Sequence, residues 1–165
     1  MSKLDILKNI KMVITDIDGV LTDGGLYYTA EGLTFKRFYV RDGMGVVLLR
    51  KAGIETAIIS GDNADLIQTR ANKLKIELCY LGIEDKTIAL NEIMQQRNLK
   101  KEEIAFIGDD VNDLNLLPLV GFKAAPADAH KSILSKVDYV CQNKGGYGAF
   151  RELVDLIMEA KGIIY

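Results

Sequence analysis

Short apolar runs alternate with longer amphipathic segments along this chain, a pattern typical of strands and helices that take turns. The apolar runs predict strands at residues 12–15, 56–59, 77–80, 104–107, 121–124 and, from a shorter run, 139–140. Apolar residues at helical spacing predict helices at residues 44–51, 64–74, 86–97, 111–117 and 149–160. Strands joined through helices pair in parallel, so we expect an α/β protein with a mainly parallel sheet.

One segment interrupts this alternation directly after the first predicted strand. Residues 26–28 and 34–39 are rich in aromatic and β-branched side chains, and they flank the turn-like sequence Ala30-Glu31-Gly32. We therefore predict a β-hairpin over about residues 24–40. The chain has 165 residues, 48% of them hydrophobic, and no Pro- or Gly-rich linker, so a single domain spanning residues 1–165 is expected.

The composition argues against several classes of partner. The net charge of −2 leaves no broad positive field for nucleic acid or an anionic membrane. No stretch approaches the ~20 apolar residues of a membrane span, and residues 1–11 lack the apolar run of a signal peptide. We expect a cytoplasmic protein with no nucleic-acid or membrane partner. Cys79 and Cys141 are predicted to be free, buried thiols.

The carboxyl ends of the predicted strands carry the residues that suggest chemistry. Asp16-Ile17-Asp18-Gly19 follows the first strand, Ser60-Gly61-Asp62 the second and Gly108-Asp109-Asp110-Val111-Asn112-Asp113 the fourth, while Lys86 begins the helix after the third. In a parallel sheet these groups converge on one edge. Carboxylates so close together repel one another unless a cation lies among them, and oxygen ligands favour a hard ion such as Mg²⁺. The sequence therefore predicts a metal and phosphate site.

Each motif also has an ordinary structural explanation. Asp16 and Asp18 are common turn and cap residues, and Lys86 by itself is typical of a solvated helix. An Asp-x-Asp-Gly sequence also begins calcium-binding loops, but Tyr27 stands here where such a loop needs its bidentate Glu. The occurrence of all the motifs together, in this order, favours the catalytic interpretation.

These four motifs, taken in order, resemble those of the haloacid dehalogenase superfamily, whose members have a Rossmann-like α/β domain. The resemblance implies that Asp16 is a nucleophile that forms an aspartyl-phosphate and that Asp18 is a general acid/base. It implies that Ser60 and Lys86 bind the phosphoryl oxygens. Backbone N–H groups around the neighbouring glycines would assist them, which adds Gly19 and Gly61 to the predicted phosphate and substrate site.

The same resemblance implies a metal site. Its Mg²⁺ ligands would be the Asp16 carboxylate, the Asp18 backbone carbonyl and the Asp109 carboxylate. Three further polar residues of the last motif would support these ligands, namely Asp110, Asn112 and Asp113.

The spacing of the motifs leaves no room for the cap domain that many relatives carry, so the chain resembles capless members of the superfamily. With its hairpin it resembles the 3-deoxy-D-manno-octulosonate 8-phosphate phosphatases of lipopolysaccharide precursor synthesis, which assemble as homotetramers in which a neighbouring subunit covers each site. Matches at residues 19–24, 41–45 and 145–152 support this. They imply that Arg41 and Arg151 bind the carboxylate of a phosphorylated sugar acid.

Position 62 departs from that family, because octulosonate phosphatases usually have Arg where this chain has Asp62. The related nonulosonate 9-phosphate phosphatases have an acidic residue there and a Lys further along the next helix, which Lys73 matches. Asp62 is open to three roles: binding sugar hydroxyls, pairing with Lys73 so that Arg70 is free for the substrate, or capping the helix near Ala64. A non-catalytic phospho-receiver domain shares the acidic pocket, but it lacks an acid/base at the position of Asp18.

Overall fold

The computed structural model of the protein describes residues 3–164. Its helices are α1 (Lys3–Asn9), α2 (Val40–Lys51), α3 (Asp65–Leu74), α4 (Lys86–Arg97), α5 (Lys131–Leu134) and α6 (Ala149–Ala160). Its strands are β1 (Met12–Thr15), β2 (Tyr27–Thr29), β3 (Gly32–Phe35), β4 (Glu55–Ile59), β5 (Leu78–Tyr80), β6 (Ile104–Ile107), β7 (Phe122–Ala125) and β8 (Tyr139–Val140). Short 3-10 helices cover Lys101–Glu103, Val111–Asp113 and Leu117–Leu119.

Six strands form one parallel sheet in the order β5-β4-β1-β6-β7-β8. This confirms the predicted α/β fold with a mainly parallel sheet. β1 lies between β4 and β6, and its last residue, Thr15, is in register with Ile58 and Ile107. The carboxyl ends of these three strands therefore meet at one edge of the sheet, where residues 16, 60 and 108 follow them.

The sheet has an apolar layer on each face because alternate residues of a strand point to opposite sides. Val13 packs in a cluster with residues of α2 and α6, including Leu49 and Phe150. Ile14 belongs to a second cluster with Leu90 of α4. All four residues of β1 are buried, as expected for a central parallel strand covered on both faces.

The predicted hairpin is present as the antiparallel pair β2–β3, which follows the first strand. The rings of Tyr27 and Phe35 stack across it with centroids 4.2 Å apart. Within residues 3–164, the connection from β1 to β4 holds only this hairpin and α2, and the connection from β4 to β5 holds only α3. The expectation that the domain carries no cap is therefore confirmed.

The structure differs from the sequence predictions in several segments. The helix predicted at residues 111–117 is wrong, since a 3-10 turn, a second turn and another 3-10 helix cover residues 111–119. Pro118 has no backbone N–H to donate to the carbonyl four residues earlier, so one continuous α-helix through this segment is disfavoured, whereas Pro is tolerated in the first turn of the second 3-10 helix. α1 was not predicted, because a seven-residue helix with one buried side chain, Leu7, has almost no apolar periodicity. No helix in the described part of the chain is long and apolar enough to cross a membrane.

Candidate active site

Asp16 and Lys86 form a buried ion pair at the carboxyl edge of the sheet. Asp16 directly follows β1, and its Oδ1 accepts a hydrogen bond of 2.7 Å from the Ile17 N–H and lies 3.0 Å from the Lys86 Nζ. Lys86 is the first residue of α4, and its ammonium also lies 2.7 Å from Oδ1 of Asp113. Burial alone would lower the pKa of Lys86, but the carboxylates of Asp16 and Asp113 outweigh that effect and raise it. Lys86 is therefore a cation.

Three carboxylates lie close together at this edge of the sheet and form what we call the acidic cluster: Asp16, Asp109 and Asp113. One oxygen from each lies within 4.8 Å of the others. Burial, followed by repulsion from Asp113, raises the pKa of Asp16 to about 7, and burial, followed by repulsion from Asp16, raises that of Asp109 to about 8. A single lysine does not balance three carboxylates, so the cluster suits an additional cation. Its all-oxygen donor set fits a hard divalent metal ion.

Local backbone geometry holds the cluster together. Asp113 uses both carboxylate oxygens, one for Lys86 and the other to accept a hydrogen bond of 3.0 Å from the Asp109 N–H. Gly19 has a φ of +81°, and a Cβ at this position would overlap Oδ2 of Asp109. Glycine is therefore required at position 19 so that the Asp109 carboxylate can lie against the loop after β1.

Asp18 lies apart from the acidic cluster, and its side chain faces the hairpin. Its two carboxylate oxygens accept hydrogen bonds of 2.6 and 2.7 Å from the Nζ of Lys36, which follows β3. Lys36 also pairs with Asp62. Sequence reasoning missed Lys36, because a single lysine in an aromatic hairpin strand is typical of a solvent-facing residue. Its only signal in the sequence is its position in the aromatic hairpin, next to Phe35.

The second motif lies beside the first, where β4 ends next to β1. Ser60 is buried, and its Oγ accepts a hydrogen bond of 3.2 Å from the Asp62 N–H. Oδ1 of Asp62 accepts a hydrogen bond of 2.9 Å from the Ala64 N–H, so Asp62 stabilises the turn before α3 but does not cap the helix, whose N-cap is Ala64. Gly61 is exposed at this turn.

The pairing suggested from the sequence between Asp62 and Lys73 is wrong, because Asp62 pairs with Lys36. The reason is geometric, because the end of the hairpin brings the buried ammonium of Lys36 to Asp62. The spacing of residues along α3 does not predict this contact. The Arg70 guanidinium lies over the Phe38 ring, 5.6 Å from its centroid. Its proposed role in substrate binding stays a prediction.

The two arginines predicted to bind a sugar acid come together in one cavity. Arg41 and Arg151 both line a space of about 350 Å³, whose other lining residues are Asn143, Tyr147, Gly148, Glu152 and Asp155. The acidic cluster is not part of that lining. The loop before Tyr147 does contact the loop after β1, since the Gly146 N–H donates to the Val20 carbonyl at 2.9 Å.

The two remaining residues of the last motif lie outside the acidic cluster. Oδ1 of Asp110 accepts a hydrogen bond of 2.7 Å from the Val111 N–H, so Asp110 caps the 3-10 helix that follows. Asn112 is exposed. Their supporting roles at a metal therefore stay predictions.

Comparison with known proteins identifies the class. A model of haloacid dehalogenase-like hydrolases matches residues 50–151. The chain belongs to this family. Among curated proteins, it is 44% identical over 156 residues to the 3-deoxy-D-manno-octulosonate 8-phosphate phosphatase KdsC of Haemophilus influenzae, covering 94% of this chain and 87% of that protein. It is 43% identical to the KdsC phosphatase of Yersinia pestis, covering 93% of this chain and 82% of that protein.

Solved structures give the same picture. The cobalt-bound octulosonate 8-phosphate phosphatase of Haemophilus influenzae superposes with a TM-score of 0.93 at 44% identity, covering 95% of this chain and 92% of that one. The phosphatase of Moraxella catarrhalis, in complex with a magnesium ion, a phosphate ion and a KDO molecule, has a TM-score of 0.93 at 34% identity. That match covers 96% of this chain and 91% of the other. The similarity therefore extends over nearly the whole described fold.

Proposed function

We propose that this protein is a Mg²⁺-dependent phosphatase that hydrolyses 3-deoxy-D-manno-octulosonate 8-phosphate to the free sugar acid and phosphate, a step of lipopolysaccharide precursor synthesis. The observation that carries the proposal is the buried Asp16–Lys86 pair within the acidic cluster. It provides a carboxylate nucleophile beside a cation that can hold phosphoryl oxygens. Relatives that are 39–44% identical and named as octulosonate 8-phosphate phosphatases support the choice of substrate.

In the first half of the reaction, a carboxylate oxygen of Asp16 forms a bond to phosphorus while the ester bond from phosphorus to the sugar oxygen breaks. Asp18 donates a proton to the departing sugar oxygen. Lys86 and Ser60 hold the phosphoryl oxygens, whose charge rises in the transition state. The product of this half is an aspartyl-phosphate on Asp16.

In the second half, water attacks the phosphorus of the aspartyl-phosphate, and Asp18 accepts a proton from that water. The bond between phosphorus and Asp16 breaks, inorganic phosphate leaves, and the Asp16 carboxylate is restored. Asp18 therefore carries out two proton transfers in each cycle, while Lys86 remains paired with Asp113 throughout.

The metal in this proposal is Mg²⁺, held by the carboxylates of Asp16 and Asp109 and by the backbone carbonyl of Asp18. When bound, it would neutralise negative charge on the transferring phosphoryl group. The oxygen donors of the acidic cluster support this choice, as does the magnesium ion in the Moraxella catarrhalis structure. Activity measured across Mg²⁺, Co²⁺ and Ca²⁺ after chelation tests it, and activity with Ca²⁺ alone would contradict it.

The alternative substrate is a nonulosonate 9-phosphate, which the acid at position 62 favoured in sequence. An unpaired acid at position 62 would repel the carboxylate of an octulosonate. The Lys36–Asp62 ion pair weakens this argument against the octulosonate, because Lys36 compensates the negative charge of Asp62. Turnover of octulosonate 8-phosphate, a nonulosonate 9-phosphate and simple sugar phosphates by the wild type and Asp16→Asn tests the proposal. Faster hydrolysis of simple sugar phosphates would contradict it. Release of one phosphate per chain would indicate a receiver domain.

We further propose that the chain acts as a single domain of residues 1–165 in a homotetramer, with the hairpin near a neighbouring subunit's site. Leu26, Tyr27, Tyr28 and Phe35 expose apolar surface on the hairpin, and Tyr28 is 66% exposed. Light scattering of the Tyr28→Ser variant tests this. The control is Ile88→Ser, because the Ile88 side chain is an exposed apolar group on α4. Loss of assembly only in Tyr28→Ser is expected, and a monomeric wild type would contradict it. The cytoplasmic location stays a prediction.

A further inference from the structure

Lys36 is buried in a part of the chain that is otherwise largely exposed. All of β2 is exposed and the neighbouring Phe35 is 50% exposed, whereas the Lys36 side chain has 0% exposure. A buried ammonium is costly unless carboxylates pair with it. Asp18 and Asp62 supply that pairing. The end of the hairpin is therefore joined to the edge of the sheet by an ionic contact.

Asp18 depends on this contact for its orientation. Its side chain is 34% exposed, and its other polar contact among the described residues is a long one of 3.4 Å with the Thr22 hydroxyl. The two contacts from Lys36, at 2.6 and 2.7 Å, are much shorter. The terminal torsion of an Asp side chain has only a broad preference, so a carboxylate without strong contacts has no fixed plane. Lys36 therefore fixes the plane in which the Asp18 carboxylate lies.

Lys36 is in turn held in place by Asp62. The carboxylate of Asp62 is anchored through its other oxygen to the Ala64 N–H at the start of α3. The ammonium thus lies between the hydrogen-bonded carboxylate of Asp62 and the rim carboxylate of Asp18. Removing the ammonium would leave these two carboxylates to repel each other across the space it occupied.

We propose that Lys36 is a positioning residue for Asp18, with Asp62 as its anchor. This rests on the proposed phosphatase function, in which Asp18 transfers protons. The two hydrogen bonds from Lys36 hold the Asp18 carboxylate in one orientation, so that the same group faces first the departing sugar oxygen and then the attacking water.

The test compares two substrates whose leaving groups differ in their need for a proton. Alkyl phosphates, including sugar phosphates, need protonation of the leaving oxygen, whereas p-nitrophenyl phosphate releases a stable phenolate. For Lys36→Met, kcat/KM should fall about tenfold or more with a sugar phosphate and less than about threefold with p-nitrophenyl phosphate. The matched control is Lys11→Met, which removes a lysine paired with Glu103 and should change neither value.

Equal losses with both substrates, or no loss with either, would overturn the proposal. If Lys36→Met does not fold, Asp62→Asn serves as the second variant, because it keeps an acceptor for the Ala64 N–H and should show the same selective loss to a smaller degree. The wild type and Asp16→Asn separate this question from the function itself. A wild type that turns over neither substrate rejects the phosphatase, whereas an active wild type with an unselective Lys36→Met rejects only the role of Lys36.

Discussion

The Lys86 ammonium lies 3.0 Å from Oδ1 of Asp16, and both groups are buried. The proposed nucleophile thus has a cation beside it that does not depend on a bound metal. The same ammonium lies 2.7 Å from Asp113, so it occupies a fixed position between two carboxylates. That arrangement suits phosphoryl transfer, in which positioning and charge compensation contribute more than strong bases.

Replacing Lys86 by Met is expected to lower kcat by roughly 10²-fold or more, because the phosphoryl oxygens lose a charged partner. It also leaves Asp16 and Asp113 facing each other without a cation. Steady-state turnover of the wild type and the variant measures the effect. The control is Lys123→Met. Lys123 lies on β7, is partly exposed and pairs with Asp138, so this variant should retain activity. Wild-type kcat in Lys86→Met would contradict the proposed role.

Without metal, the free energy of unfolding should fall as the pH rises from about 4 to about 8. The pKa of Asp16 is raised to about 7 and that of Asp109 to about 8, from a usual value of 3.8. Within this window the folded protein binds more protons than the unfolded chain, so raising the pH favours unfolding. Chemical denaturation in a chelator at several pH values measures the slope. Asp109→Asn should flatten it, and an unchanged slope would contradict the assignment.

Magnesium should reverse part of this loss. The cluster carries fewer protons at pH 8 than at pH 6, so a cation that binds at pH 6 must displace more of them. The increase in melting temperature on adding Mg²⁺ should therefore be larger at pH 8 than at pH 6. An equal increase at both values would mean that Mg²⁺ binds elsewhere.

Gly19→Ala should weaken metal binding. The added Cβ would overlap the Asp109 carboxylate, and the positive φ would cost about 1–2 kcal/mol of stability. Gly53→Ala is the matched control, because Gly53 also has a positive φ, of 75°, but no atom within 4 Å of its Cβ position. Both variants should lose stability, while only Gly19→Ala should need more Mg²⁺ for half-maximal activity. The same Mg²⁺ requirement in both would contradict this.

The fold and the centre of the site could be predicted because their signals are local. The apolar run before Asp16 indicates a central strand, and the positions after β1, β4 and β6 meet once those strands pair in parallel. Charge repulsion then predicts a cation near Asp109. Each of these steps uses a short stretch of sequence together with one general rule of sheet geometry.

The interactions of Asp18 could not be predicted in this way. Lys36 lies 18 residues from Asp18 and 26 from Asp62, and it reaches both only because the hairpin folds over the sheet edge. Pairing with Lys73 is one of three roles that the sequence leaves open for Asp62, whereas the observed contact with Lys36 depends on the path of the hairpin. The contact between Asp113 and Lys86 is likewise long-range, and helical spacing within residues 111–117 does not predict it.

The central claim is that Asp16 carries the phosphoryl group, and trapping that group tests it most directly. In Asp18→Asn the second half-reaction lacks its base, and p-nitrophenyl phosphate needs no proton donor in the first half. Rapid acid quench with mass spectrometry of the Asp16 peptide should then show one phosphoryl group per chain on Asp16, and none in Asp16→Asn. A phosphoryl group on another residue, or sustained turnover by Asp16→Asn, would contradict the account.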